Sequence, residues 1–191
     1  MFATQYILVS EALYFNTFSE KLSFEQIQQI IDDQNRWSWL RYVILPIIYG
    51  VKFCLIASCL SLGLYLPTNR WLFKPFFQIA VRAEIISLIP ALLKILWFLF
   101  IQTDYTLNDL QLFYPLSMLS LFDPNTLEPY LLYPLQLLNI FEVAYWFALA
   151  YGVTQVLDSS LEQSFKLVIV SYGSGLVLWV AFIMFLTVSL S

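Results

Sequence analysis

Long apolar runs separated by short polar breaks dominate the chain. The first goes from about Trp37 to Leu66, is interrupted by Pro46 and Lys52, and closes at Pro67-Thr-Asn-Arg-Trp. The second covers about Ile79 to Ile101, the third about Leu131 to Leu157, and the fourth, without a single charge, Leu167 to Leu190. A hydrocarbon layer about 30 Å thick takes about 20 helical residues to cross, so these runs predict four spans. A 13-residue run, Leu110 to Phe122, is too short to cross as a straight helix and ends at Asp123-Pro124. The expected fold is therefore all-α: a polytopic transmembrane helix bundle with four full spans plus one short or re-entrant segment.

Residues 1–36 read differently, as an amphipathic and polar arm ahead of a transmembrane domain at 37–191. They hold seven charged groups among scattered aromatics. Ser23 and Gln26 form an S-x-x-Q capping box that predicts a short helix, with Phe24, Ile27, Ile30 and Ile31 on one face. The first residues lack a basic n-region and a small-residue cleavage site, so they are expected to stay in the mature protein.

The short run is echoed further on. Residues 112–123 read LFYPLSMLSLFD and residues 131–142 read LLYPLQLLNIFE, identical at six of twelve positions. Each carries a polar triplet at three-residue spacing: Ser117, Ser120, Asp123 in one and Gln136, Asn139, Glu142 in the other. On a helix either triplet lies along one side. The first copy stops at Pro124 while the second runs on through VAYWFALAYGV. The pair suggests a broken, re-entrant segment followed by a full helix of related sequence, a device found where membrane proteins line polar sites.

Composition agrees with lipid as the main solvent, since 60% of the 191 residues are hydrophobic, 18% aromatic and only 12% charged. Soluble domains average about 25% charged. The lipid bilayer is thus the first partner. With a net charge of −4 and no long Lys/Arg cluster, nucleic acid is not expected as another. Histidine is absent, which removes the usual general base and zinc ligand. Cys54 and Cys59, five apart, match no zinc or redox spacing and are expected to be buried, inert thiols. Neither a cofactor nor a metal site nor catalytic residues are expected.

Charges inside the spans raise the question of chemistry. A lone Lys, Arg or Asp at a membrane helix centre costs on the order of 2.5–3.5 kcal/mol by insertion scales and usually faces a partner or a cavity. Arg82 and Glu84 lie near one end of their run, where an Arg can snorkel. Lys94 is about 12 Å from the other end at 1.5 Å per residue, and Glu84 is about 15 Å away along the same axis, too far to pair with it. Its partner must come from elsewhere. Glu142, about 17 Å in from its loop, is the expected one, in a mid-membrane cluster of Lys52, Lys94, Asn139 and Glu142 with Arg82 and Glu84 nearer a surface.

Small residues mark where helix backbones could meet. Gly50, Cys54 and Ser58 recur every four residues in the first run, and Ser171 and Gly175 form a small-xxx-small pair in the fourth, with Gly152 and Thr154 as its expected opposing surface. Orientation is poorly marked. Arg70, Lys74, Arg82 and Lys166 on one side stand against Lys21, Arg36 and Arg41 on the other. The segment 102–130 carries four acids and no Lys or Arg, which favours the outside.

The run LNIFEVAYWFALAYGVTQVLDSSLEQSFKLVIVSYGSGLVLWVAF, Leu138 to Phe182, resembles the C-terminal part of the Yip (Ypt-interacting protein) family. The pattern is an aromatic-rich span opening with L-x-[IL]-F, a Gly near its end, a polar turn with a Ser, a Lys soon after, and a long final span. The stretch AEIISLIPALLKIL is similar to that family's Pro-containing middle span. The resemblance covers about half the chain and implies five spans, the fifth being 110–122, and a membrane-organising role without catalytic residues. The chain also resembles inner-membrane proteins of the Bacteroidota. The expectation is a non-enzymatic scaffold or accessory subunit in a bacterial inner membrane, binding other membrane proteins or itself. The alternative is a small channel or transporter working through Glu84, Lys94 and Glu142.

Overall fold

The computed structural model describes residues 8, 13, 17, 22–124 and 126–190. The N-terminal stretch expected to persist in the mature protein lies largely outside them. The described residues are 83% helical, with no strands among them. Its main helices are α1 (Phe24–Arg36), α2 (Ser38–Thr68), α3 (Phe73–Ala83), α4 (Leu88–Phe100), α5 (Leu107–Leu112), α6 (Pro129–Leu137), α7 (Ile140–Leu157), α8 (Leu161–Val168) and α9 (Ser174–Leu190). A 3₁₀ turn, Glu84–Ser87, joins α3 to α4, and a π-helical segment, Ile169–Gly173, joins α8 to α9. Four continuous helices are long and apolar enough to cross a membrane: Ser38–Thr68, Phe73–Phe100, Ile140–Leu157 and Leu161–Leu190.

The helix starts differ from the apolar runs for local reasons. The second span begins at Phe73, six residues before its run, because Phe76, Ile79, Ala80 and Ala83 are buried there. Pro75 does not prevent it, since first-turn positions have no helical N–H bond to lose. The fourth begins at Leu161 behind a capping box in which Ser160 Oγ accepts from Gln163 N–H and Gln163 reaches back to Ser160 N–H. The third is broken: α6 ends at Leu137, and Asn139 caps a new helix by accepting the Glu142 N–H at 2.8 Å. The 3₁₀ turn sits where Pro90 disturbs the ladder, since Pro90 has no N–H for the carbonyl of Ile86.

Residues 110–122 do not form one helix. After α5 come an extended stretch and a 3₁₀ turn at Met118–Leu121, so Ser117, Ser120 and Asp123 do not share a helical face. The two repeat copies nevertheless meet. Ser117 and Asn139 pair as an antiparallel bridge, with Met118 N–H donating to Leu138 C=O at 2.8 Å. Leu116, just before the bridge, holds φ at 54°, a region that costs an L residue about 1–2 kcal/mol.

Compactness divides the chain into Met1–Tyr49 with Pro90–Pro115, and Gly50–Ile89 with Leu116–Ser191. Leu8 and Leu13 pack with Phe98 and Leu110 in the core of the first unit. There, too, α1 carries the expected capping hydrogen bonds between Ser23 and Gln26, with Ile27 and Ile31 buried and Phe24 outward.

The second unit packs the later part of α2, α3, α7 and the α8–π–α9 helix. Its core is Ile56, Ala57, Leu60 and Leu64, then Phe76, Ile79, Ala80 and Ala83, then Tyr145, Leu149, Ala150 and Val153, with Val168 and Tyr172 closing it. Asp158, left-handed at φ 50°, ends α7 and turns the chain into α8. Thr154, Ser159 and Ser164 link their hydroxyls across that turn.

Close helix contacts engage Ser171 and Gly175 of the predicted small residues, but not Gly50 or Cys54. Gly50 would carry a Cβ with nothing within 4 Å, and Cys54 is exposed. Ser58, one helical turn further, is half-buried. Ser171 packs instead on Gly63, and Gly175 on Cys59, whose Sγ lies 2.7 Å from where a Gly175 Cβ would stand. Gly152 meets Ile79, not the fourth span, so the surface opposing Ser171 and Gly175 belongs to α2. Five residues of separation turn Cys59 inward and Cys54 outward. We predict that Gly63→Leu destabilises the detergent-solubilised protein by about 1–3 kcal/mol through overpacking, while Gly50→Leu stays within ~0.5 kcal/mol. Thermal unfolding monitored by circular dichroism checks this, and equal effects at the two positions would contradict it.

Candidate functional site

Lys52 sits on α2, 13 residues from Trp39 and 13 from Tyr65, or about 20 Å from each along the axis. Nothing in its own helix can answer its charge. The 3₁₀ turn supplies Glu84, and Lys52 Nζ lies 2.7 Å from both carboxylate oxygens. The Glu84 side chain is only 14% exposed. Arg82, two residues earlier, points outward.

The same Lys52 ammonium stands 5.6 Å from the centre of the Tyr145 ring. Tyr145 is 3% exposed and its hydroxyl has no hydrogen-bond partner. Its ring lies 5.8 Å from that of Tyr172 on the π-helical segment. Tyr172 Oη donates to Glu142 Oε1 at 2.8 Å, and Trp146 Nε1 donates to the same oxygen at 2.9 Å. Glu142 occupies the first turn of α7, where free N–H groups favour a negative charge. Glu84 and Glu142 both act electrostatically on the Tyr145 and Tyr172 hydroxyls.

The local backbone explains the arrangement. Glu84 is on the 3₁₀ turn, Glu142 at the break after Asn139, and Tyr172 on the π-helical segment. All three irregular pieces bring a member to the site. An added residue per turn in a π segment rotates the helix beyond it, and such segments are frequent at functional sites. Asn139 takes no part as a charge partner, because its side chain is used up in capping, with Nδ2 donating to the Gln136 carbonyl at 2.9 Å.

Lys94 belongs to the first unit. It is 8% exposed, and Nζ donates to the carbonyl of Leu110. The physical reason is the shortness of α5. A helix leaves its last four carbonyls without an intrahelical donor, and a cation there is favoured. Phe113 turns extended directly after α5, so no following N–H reaches Leu110. Around this bond stands Phe98, its ring tilted against Tyr105 at 4.7 Å and edge-on to Phe113 at 5.2 Å. Burial raises the Tyr105 phenol above its ordinary range.

Of the residues singled out by the sequence, the structure brings Lys52 together with Glu84, and gives Lys94 and Glu142 separate hydrogen bonds, each within its own unit. It adds Tyr145, Trp146 and Tyr172. Trp146 was accessible to sequence reasoning, being four residues after Glu142 on the same helix face. So was the break, since Asn139-x-x-Glu142 has the form of a helix start. Tyr172 carries no local signal. Among the described residues no three His, Cys, Asp or Glu groups are placed to hold a metal ion.

Removing the Lys94 ammonium should act locally. We predict that Lys94→Met speeds backbone hydrogen exchange across Leu107–Leu112 by about an order of magnitude, the loss of roughly 1.4 kcal/mol of local protection. Exchange elsewhere stays unchanged. Wild-type exchange at α5 in the variant would contradict the capping role.

No family model matches the chain, and no curated protein and no solved structure matches it.

Proposed function

We propose that this membrane protein is a scaffold or accessory subunit that binds other membrane proteins and does no catalysis. The observation that carries the reading is the unused small-residue stripe on α2. Gly50 has open space where a side chain would be, and Cys54 is exposed one turn later. In lipid, helices associate through close backbone approach rather than hydrophobic exclusion, and small residues four apart provide it. Inside this chain that approach is made by Gly63 and Cys59. The stripe therefore suits a transmembrane helix of another protein. Val51, Leu55 and Leu62 around it are outward-facing and apolar.

The resemblance to the Yip family supports the membrane-organising role, and the likeness to Bacteroidota inner-membrane proteins supports a bacterial cytoplasmic membrane. A second reading, a small channel or transporter, is favoured by one observation: the buried Tyr145 hydroxyl without a partner beside two carboxylates.

Purification from native membranes in mild detergent tests the first reading. A stoichiometric partner should co-elute with the wild type and be lost from Gly50→Leu and Ser58→Leu, whose thermal stability stays near wild type. Elution of the wild type as a lone homo-oligomer, unaffected by either substitution, would contradict it.

A further inference from the structure

The Glu142 carboxylate is stabilised by neutral groups alone. Both hydrogen bonds, from Trp146 and Tyr172, end on Oε1, and among the described residues Oε2 accepts none. The charged and titratable groups that face it are few. Lys52 of α2 and Glu84 of the 3₁₀ turn pair with each other beside the Tyr145 ring. Tyr133 comes from α6, Tyr145 from α7 itself and Tyr172 from the π-helical segment. Lys52 binds both oxygens of Glu84, so one carboxylate is answered and the other is not.

We propose that Glu142 is a proton-binding site: its carboxylate takes up one proton on Oε2 and releases it again. The proton forms an O–H bond on the free oxygen and leaves both donors on Oε1 in place. No side chain has to move. The Tyr145 hydroxyl, buried and without a hydrogen-bond partner among the described residues, is the second polar group of the site and lies within the electrostatic reach of both Glu142 and Glu84. The proton site stands independently of whether the chain acts as a scaffold or as a transporter.

Infrared difference spectroscopy on the full chain in lipid nanodiscs tests this, stepping between about pH 4 and pH 10 to cover ordinary and buried carboxyls. A protonated-carboxyl band of a water-poor environment should appear on acidification, vanish in Glu142→Gln, and survive at shifted frequency in Glu142→Asp. Tyr145→Phe should move its midpoint, while Tyr133→Phe leaves it in place. Glu142→Asp guards against misfolding, because it keeps the carboxyl. A band that persists unchanged in Glu142→Gln, or none that depends on Glu142 at any pH, would overturn the proposal. So would suppression of the band by sodium against choline at fixed pH, which would make the ligand a metal cation.

Discussion

The ion pair between Lys52 and Glu84 is the constraint on which the second unit depends. An ammonium in the middle of a 31-residue apolar helix has no water to fall back on, and losing its partner would strand a charge in hydrocarbon. The pair fixes the register of α2 against the second span, and the core depends on that register: Ile56, Ala57 and Leu60 on one side, Ala80 and Ala83 on the other. Tyr145 then packs under the ammonium, and Tyr172 against Tyr145. Charge placement and helix packing are the same decision here.

Irregular backbone is the second constraint. A membrane helix can depart from α geometry only where neighbours satisfy the freed groups. Pro90 brings a 3₁₀ turn, and that turn carries Glu84. Asn139 ends one helix and starts another, with Ser117 bridging to Asn139 and Met118 N–H donating to the Leu138 carbonyl at the break. The π segment brings Tyr172 to Glu142 and Gly173 against the Trp146 ring. In the first unit the same principle operates in reverse: a six-residue helix ends early, and Lys94 answers its exposed carbonyl.

Much of the fold was legible in the sequence because hydropathy and caps are local. The four spans come from run length, and the α1 start from Ser23 and Gln26. The start of α8 was equally legible at Ser160-x-x-Gln163, but the apolar run began six residues later and drew attention from it. Lys52, Lys94, Glu84 and Glu142 stood out as charges needing partners. Who would partner whom did not, because depth counted along an unbroken helix misplaces any residue beyond a break, and Glu142 lies just past one. The sequence repeat marked the right two segments, yet they meet as extended backbone rather than as helix faces. Lys94 shows the remaining limit: its partner is a main-chain carbonyl, which every residue has and no sequence pattern advertises.

Mutual compensation of the Lys52 and Glu84 charges is the central claim, and a double-mutant cycle on the two residues tests it most directly. Unfolding free energies of Lys52→Met, Glu84→Gln and the double variant, measured in the same mixed micelles, should be non-additive. Each single change strands a charge, and the double change removes both, so a coupling of about 0.5–3 kcal/mol is predicted, with the double variant more stable than at least one single. Strictly additive losses would mean that the two side chains do not hold each other, and the register and the cluster around Tyr145 would lose their common basis.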